Sequence, residues 1–435
     1  MKIPNRNQAS AQNFISGVVL FFTVGVYLAV LGLGAGGGKP SSQDYDDSYD
    51  RTGGQAFPIV AGCILGLSAP MLWSVSGFIQ WAYATEAEKG KYISVQYFIN
   101  QVGSVVGSLV ALGIILKGGA SAEGSPTPVY IAFIVLMCVA FFVVGFGLVK
   151  PSQVVRADGT HLAVFRQLTY KEEFAGIARV VRDWRVLVML PVIFSSEMPL
   201  SIMPALNAHY FDLRTRAMNN VIFYAVALPG SVLVTYLTDM LPFSRRKRGL
   251  IALSVLAVID IGGWIAALAW VSISDTYKNP PQGGVSWSDA NFAGPFVIYV
   301  VFGVLYTCHQ LIGMWVMGTF TNDPRNLAVY GGIWKGVAGG GLAVSFGMNS
   351  AGVSHQSQLI MMFIFQFISF PIMFTLIGFF SSETNYGKEV GVIVPKYAEE
   401  QYNAQTVLGT EETQSEKPEQ VEDSESKVSE VSQKV

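Results

Sequence analysis

Ten runs of mainly apolar residues, each about 20 long or longer, dominate this chain and leave little freedom in how it folds. They lie near 14–35, 57–82, 92–117, 128–149, 186–207, 218–241, 249–272, 293–318, 329–351 and 357–380. In hydrocarbon a backbone N–H or C=O finds no water, so such a run must satisfy its own hydrogen bonds as a helix. The charge content agrees: 13% of residues are charged, against about 25% in a soluble globular protein. The expected class is therefore all-α, a polytopic membrane helix bundle with membrane lipids as its surroundings. The first run is too long for a cleaved signal peptide and lacks a small-residue cleavage site, so it reads as a span.

Composition also narrows the chemistry. A net charge of −2 gives no electrostatic footprint for nucleic acid. His161, His209, His309 and His355 fall in separate segments without metal-ligand spacing, so no metal and no cofactor is expected. Cys63, Cys138 and Cys308 sit inside apolar runs and read as small buried hydrophobes rather than a disulfide framework. The cluster Gly36-Gly37-Gly38-Lys39 lacks the rest of a phosphate loop and reads as a helix exit. No catalytic constellation points to an enzyme.

The spacing of the runs divides the chain. Residues 1–149 hold four spans and 186–380 hold six, with a central loop at 150–185 and a tail at 381–435. If the N-terminus is cytosolic, Lys and Arg of the loops fall sixteen to six in favour of the cytosolic side, which places both termini there. The acidic loop with Asp44, Asp46, Asp47 and Asp50 then faces outward. Within 161–184, Leu162, Phe165, Leu168, Phe174, Ile177, Val181 and Trp184 recur at helical spacing. This suggests an amphipathic helix along the cytosolic membrane surface, or simply a linker helix. From Glu399 onward, ten acidic residues stand against three lysines, a composition that cannot bury a core and is expected to be disordered.

Ionisable groups inside spans are the candidate functional residues, because a charge in hydrocarbon costs several kcal/mol. Glu197 precedes Pro199 in mid-span, Asp260 interrupts the seventh run, His309 and Gln310 the eighth, and Lys335 the ninth. A Glu197–Lys335 or an Asp260–Lys335 pair would offset the cost of both charges, whether for substrate contact, proton relay or structure. Small residues recur every four positions at Gly103, Gly107 and Ala111, and at Gly332, Gly336 and Gly340, a pattern that lets helices pack closely.

Two stretches carry a family resemblance. Asp239 followed by Arg245, Arg246, Lys247 and Arg248 resembles the short cytosolic loop signature of the major facilitator superfamily, with looser spacing and no glycine. There, an acid–arginine pairing latches neighbouring helices and breaks as the carrier changes state. Gly32-Leu33-Gly34-Ala35-Gly36-Gly37-Gly38, Ala61-Gly62-x-x-Leu65-Gly66, Leu72-Trp73 and above all Tyr83-Ala84-Thr85-Glu86-x-Glu88-Lys89-Gly90-x-Tyr92 resemble the fungal Unc-ninety-three-like proteins of that superfamily. The resemblance covers most of 14–385 and implies a fold of twelve helices, six plus six. It further implies that 57–82 is the fourth helix, so that helices two and three, roughly 50–70 residues, are absent between Lys39 and Gly54. It implies a secondary transporter of a small solute or ion. Alternatively it implies a non-transporting regulator with a membrane-protein partner, an ion channel or trafficked receptor, or a defective shortened isoform.

Overall fold

The computed structural model describes residues 5–32, 56–118, 127–162, 169–389 and 392–400. The expected gap at 39–54, the acidic loop, Phe165, Leu168 and nearly all of the acidic tail lie outside the described residues. Contacts separate the chain into residues 1–392 and 393–435, and the second unit opens with a helical turn at 396–400.

Among the described residues the protein is all-α, with isolated bridges in place of strands. Nine helices among the described residues are long and apolar enough to cross a membrane. The tenth run is also helical, and the part of it so assessed, Ile131–Gly147, is a shorter apolar helix. Helix α1 covers 9–32 with a π turn at Phe21–Gly25, followed by α2 (Ala56–Ala82), α3 (Lys89–Gly118) and α4 (Thr127–Gly147). The connecting segment holds α5 (Tyr170–Val181), started by a capping box in which Thr169 and Glu172 satisfy each other's backbone N–H.

The fifth span is broken into α6 (Trp184–Ser195) and α7 (Pro199–Tyr210). Then come α8 (Leu213–Thr235, extended by a π turn at Tyr236–Met240), α9 (Arg245–Ile273) and the short α10 (Asp275–Lys278). The last are α11 (Ala293–Gly318), α12 (Pro324–Ser350) and α13 (His355–Thr375), which ends in a π turn at Leu376–Phe380.

Helices α1–α4 meet the helices that follow α5 along two seams, α3 against α8 and α2 against α12. Polar side chains of α8 stitch it to α3 and to α1. Asn220 donates to the Ser108 hydroxyl and to the Ala29 carbonyl, each at 2.9 Å, and Tyr224 donates to the Leu28 carbonyl at 2.9 Å. The second seam is a close approach: a Cβ on Gly77 would lie 2.9 Å from the Cα of Gly331.

The glycine pattern came out differently in its two halves. Gly103 and Gly107 face α1, where a Cβ would lie 2.8 Å from the Phe21 Cα and from the Ala29 Cβ respectively. The expected strip on α12 is corrected. Nothing lies within 4 Å of a Cβ at Gly336 or Gly340, and Gly332 meets just the Ser74 hydroxyl at 3.5 Å. The close contacts belong to Gly331 and Gly341, one helical step away, the latter packed on the Phe194 carbonyl.

Cys63 and Cys138 are also corrected: both are exposed on the outer faces of α2 and α4, and Cys308 alone of the three is buried. Those faces are strongly apolar, with Leu67 and Met71 of α2 70% exposed and Phe141 of α4 77% exposed. Such surface suits lipid contact.

Candidate functional site

The break between α6 and α7 organises the centre of the molecule. Pro199 has no N–H to give to the Ser195 carbonyl, and the chain turns at Ser196-Glu197-Met198 before α7 starts at that proline. Carbonyls at the break also accept from side chains of three other helices. Gln366 of α13 donates to the Ser195 carbonyl at 3.4 Å and Gln310 of α11 to that of Ser196 at 3.2 Å. Ser345 of α12 donates to the Met198 carbonyl at 3.4 Å. Irregular backbone survives at membrane depth when neighbouring helices satisfy it in this way.

Glu197 projects from this turn and forms an ion pair with Lys335 of α12. Of the two pairings the sequence left open, the structure forms this one; Asp260 does not pair with Lys335. The Lys335 ammonium also lies 3.7 Å from the centre of the Trp73 ring on α2, and donates to the Tyr97 hydroxyl of α3 at 3.3 Å. An ammonium over an indole face gains cation–π attraction, strengthened where water is excluded. Tyr97 in turn donates to Gln310 Oε1 at 3.3 Å, and the Trp334 indole N–H donates to the same oxygen at 3.2 Å. Both halves of the molecule thus contribute to one buried polar cluster near the middle of their spans. Its side chains are Trp73, Tyr97, Glu197, Gln310, Trp334 and Lys335.

Asp260 and His309 sit on the other side of the break. They line a narrow crevice with Ser196, Pro199, Trp264, Tyr306 and Gln366. Both are 3% exposed.

A second charged cluster closes one end of the bundle. Lys89, 1% exposed, donates to the Gly318 carbonyl at 2.5 Å, the Thr321 carbonyl at 2.8 Å and Asn322 Oδ1 at 2.9 Å. Glu86 pairs with Arg245 at 3.4 Å and accepts from Asn322 at 2.6 Å and from the Asn385 N–H at 2.8 Å. Glu389 accepts from the Thr321 hydroxyl at 2.5 Å and the Asn322 N–H at 2.7 Å.

The loop signature behaves differently from the acid–arginine pairing expected of it. Asp239 accepts the first backbone N–H groups of α3, Gly90 at 3.2 Å and Lys91 at 2.6 Å, and so caps a helix of the other half. Gly90 permits this approach, since a Cβ there would lie 2.6 Å from Asp239 Oδ1. Arg245 goes to Glu86, the Arg246 N–H points toward Glu383 at 3.4 Å, and Arg248 donates to the Asp239 carbonyl at 2.9 Å.

Sequence reasoning did not single out Trp73, Tyr97, Glu86 or Lys89 as site residues. For the last two a signal existed, since they fall in the stretch that carries the most specific part of the family resemblance.

No protein-family profile matches the chain. An uncharacterized membrane protein of Schizosaccharomyces pombe is 30% identical over 419 residues, covering 86% of this chain and 85% of its own. The UNC93-like protein 1 of Arabidopsis thaliana is 31% identical over 342 residues, with 78% of this chain and 73% of its own covered. A UNC93-like protein of S. pombe is 28% identical over 349 residues, with 79% and 68% covered. Two solved structures are similar in outline. The E. coli fucose:proton symporter FucP has a TM-score of 0.47 at 12% identity, covering 85% of this chain and 84% of its own. A bacterial homologue of the iron transporter ferroportin, in an outward-facing state, has a TM-score of 0.48 at 13% identity, with 84% and 85% covered.

Proposed function

The chain belongs to the UNC93-like family of membrane proteins, and from that premise we propose that it is a secondary transporter of a small solute or ion, built on the major facilitator plan. The observation that carries this reading is the Glu197–Lys335 pair, set at a helix break and walled by side chains from both halves. A carrier of this type binds its solute near the membrane midplane, at broken helices between two bundles that move against each other. A buried ion pair with an aromatic wall offers such a solute either charge in exchange for the internal partner. Glu197, Gln310 and Lys335 are the pathway residues of this account, with Asp260 and His309 beside them.

The Lys89–Glu86–Arg245 cluster and the Asp239 cap join the two halves at one end, and we assign them the gate there. The basic-residue bias of the loops supports a cytosolic position for this end and for both termini. Opening it breaks Lys89 from its three acceptors and α3 from Asp239. The test is a cysteine placed at Ser94, just inside the gate. With Lys89→Met it reacts with a membrane-impermeant thiol reagent from the cytosolic side at least tenfold faster than with Lys89 intact. Equal rates remove the gate assignment.

A second reading is favoured by one observation. Most of the span Gly62–Ala82 of α2 is not buried inside the protein, and much of α4 faces outward as well. This apolar flank lies in the part where two helices are expected to be missing, and a partner membrane protein could cover it. In that reading the chain is a non-transporting regulator of a channel or of trafficking, or a shortened isoform. A stable complex recovered in mild detergent, with no solute raising the melting point of the free chain, decides for it. Reading the transcript across codons 35–57 decides the deletion, which is dismissed by a full-length message with no further exon.

A further inference from the structure

The segment that leaves the last span crosses the charged cluster at the gate. After the π turn at Leu376–Phe380 the chain is no longer helical, and Glu383, Asn385, Tyr386 and Glu389 reach into that cluster in turn. Glu383 accepts the Arg245 N–H at 2.8 Å and the Arg246 N–H at 3.4 Å. It thereby caps the start of α9, where a helix leaves N–H groups without partners of its own. The Asn385 N–H donates to the Glu86 carboxylate at 2.8 Å, and its side-chain amide donates to the Thr319 carbonyl, just past α11, at 2.8 Å. The Tyr386 hydroxyl accepts the Glu86 N–H at 3.2 Å. Gly387, at φ 76°, supplies the left-handed backbone of the turn before the last anchor, Glu389 on Thr321 and Asn322. Glu86 belongs to the part of the chain before α5, and the other anchors belong to the part after it. Glu383, Thr384, Gly387 and Lys388 are exposed, so water reaches the segment along its outer side.

We propose that residues 381–389 form a clasp that holds the gate shut and must release Glu86 before the gate opens. The clasp rests on the gate assignment made above. Opening that gate carries Glu86 and Lys89 away from the ends of α9 and α11. The clasp cannot follow them, because it continues α13 and is tied to α9 through Glu383 and to the end of α11 through Asn385. The parting line therefore runs between Glu86 and the neighbouring Asn385 and Tyr386. A segment that merely anchored the end of the last span would need the later helices alone. Asn385 and Tyr386 bind across the junction as well, which is what a closure requires. The bonds at the parting line are also of a kind that can be remade. No side chain of 381–389 belongs to the apolar core clusters of the described residues, and polar contacts beside water exchange for water at small net cost. A packed helix would instead have to expose apolar surface to move. The chain that follows the last span is thus a regulator of the gate, and its hold on Glu86 sets how often the gate opens.

The test does not depend on any solute being carried. It reads the reaction of a cysteine at Ser94 with a membrane-impermeant thiol reagent, in the full chain reconstituted in vesicles. Glu383→Ala combined with Tyr386→Phe raises the rate about tenfold or more, since a bond to a carboxylate and a neutral bond are both lost. Tyr386→Phe alone keeps the ring and loses only the hydroxyl, and raises the rate about threefold. Lys388→Ala leaves it unchanged, because the Lys388 ammonium bonds the Ser382 hydroxyl within the segment and not the gate. Parental rates in both clasp variants, or equal acceleration by Lys388→Ala, overturn the clasp. Lys89→Met separates this failure from failure of the gate itself. If Lys89→Met accelerates the reaction and the clasp variants do not, the gate stands without a clasp. If the clasp variants accelerate it and Lys89→Met does not, the clasp stands and Lys89 leaves the gate. For a variant that does not fold, hydrogen exchange of the unaltered chain decides instead. Backbone amides of 381–389 exchange at least about tenfold more slowly than in a free peptide of the same sequence. Equal exchange overturns the clasp.

Discussion

Lys335 is held by three unlike attractions: the Glu197 carboxylate, the Tyr97 hydroxyl and the Trp73 ring. Breaking a buried pair from one side strands the other charge, at a cost of about 3–5 kcal/mol, whereas removing both partners together is much milder. Glu197→Gln or Lys335→Met alone should therefore lower stability by about that amount, and the double variant should recover most of it. Unfolding of the purified variants in detergent measures this. A double variant as unstable as the sum of the singles would mean that the two charges act independently. The sequence announces Glu197 and Lys335 because charges inside apolar runs are rare and expensive. It does not announce Trp73 or Tyr97, since aromatic residues are ordinary in such runs and nothing in their spacing says which face points inward. Asp239 shows the same limit. Its partner was expected to be an arginine nearby in the chain, and the groups it found are backbone N–H donors at the start of α3, in the other half.

Helix packing turns on rotational phase, and α12 shows how little of that phase a glycine pattern contains. Gly339, Gly340 and Gly341 are adjacent, each turned about 100° from the next, and the neighbouring helix selects which one faces inward. Gly341 meets the Phe194 carbonyl, while a Cβ on Gly340 has nothing within 4 Å. Gly341→Leu should accordingly abolish the folded, monodisperse protein in detergent. Gly340→Leu should stay within about 0.5 kcal/mol of the parent. Similar damage from both would place the α12 seam elsewhere. Helix α5 was legible in type but not in extent: its exposed Tyr170, Phe174, Ile177 and Val181 share one face, and the helix starts at a cap that the period alone does not mark. That face is proposed to lie against lipid. A fluorophore at Ile177 should be quenched by lipid-attached quenchers at least twice as strongly as one at Arg179, and equal quenching would detach the helix from the surface.

The molecule as a whole joins α1–α4 to the later helices along two seams, with a charged cluster closing one end and an ion pair near the middle. The all-helical, membrane-spanning character was legible because hydrocarbon tolerates few alternatives to a helix, while the part of the tenth run so assessed proved a shorter apolar helix. The pairing of α2 with α12 was not legible, because it depends on close approaches such as that of Gly77 and Gly331 across 254 positions of chain. Transport and regulation predict different behaviour of the intact protein in a closed membrane. The deciding measurement is uptake into vesicles carrying the purified chain, incubated with a whole-cell extract of small molecules and inorganic ions, with their contents read by mass spectrometry. At least one solute should accumulate over protein-free vesicles, and lose at least tenfold in rate with Lys335→Ala. Contents identical to those of protein-free vesicles would contradict the carrier account and leave the regulator in its place.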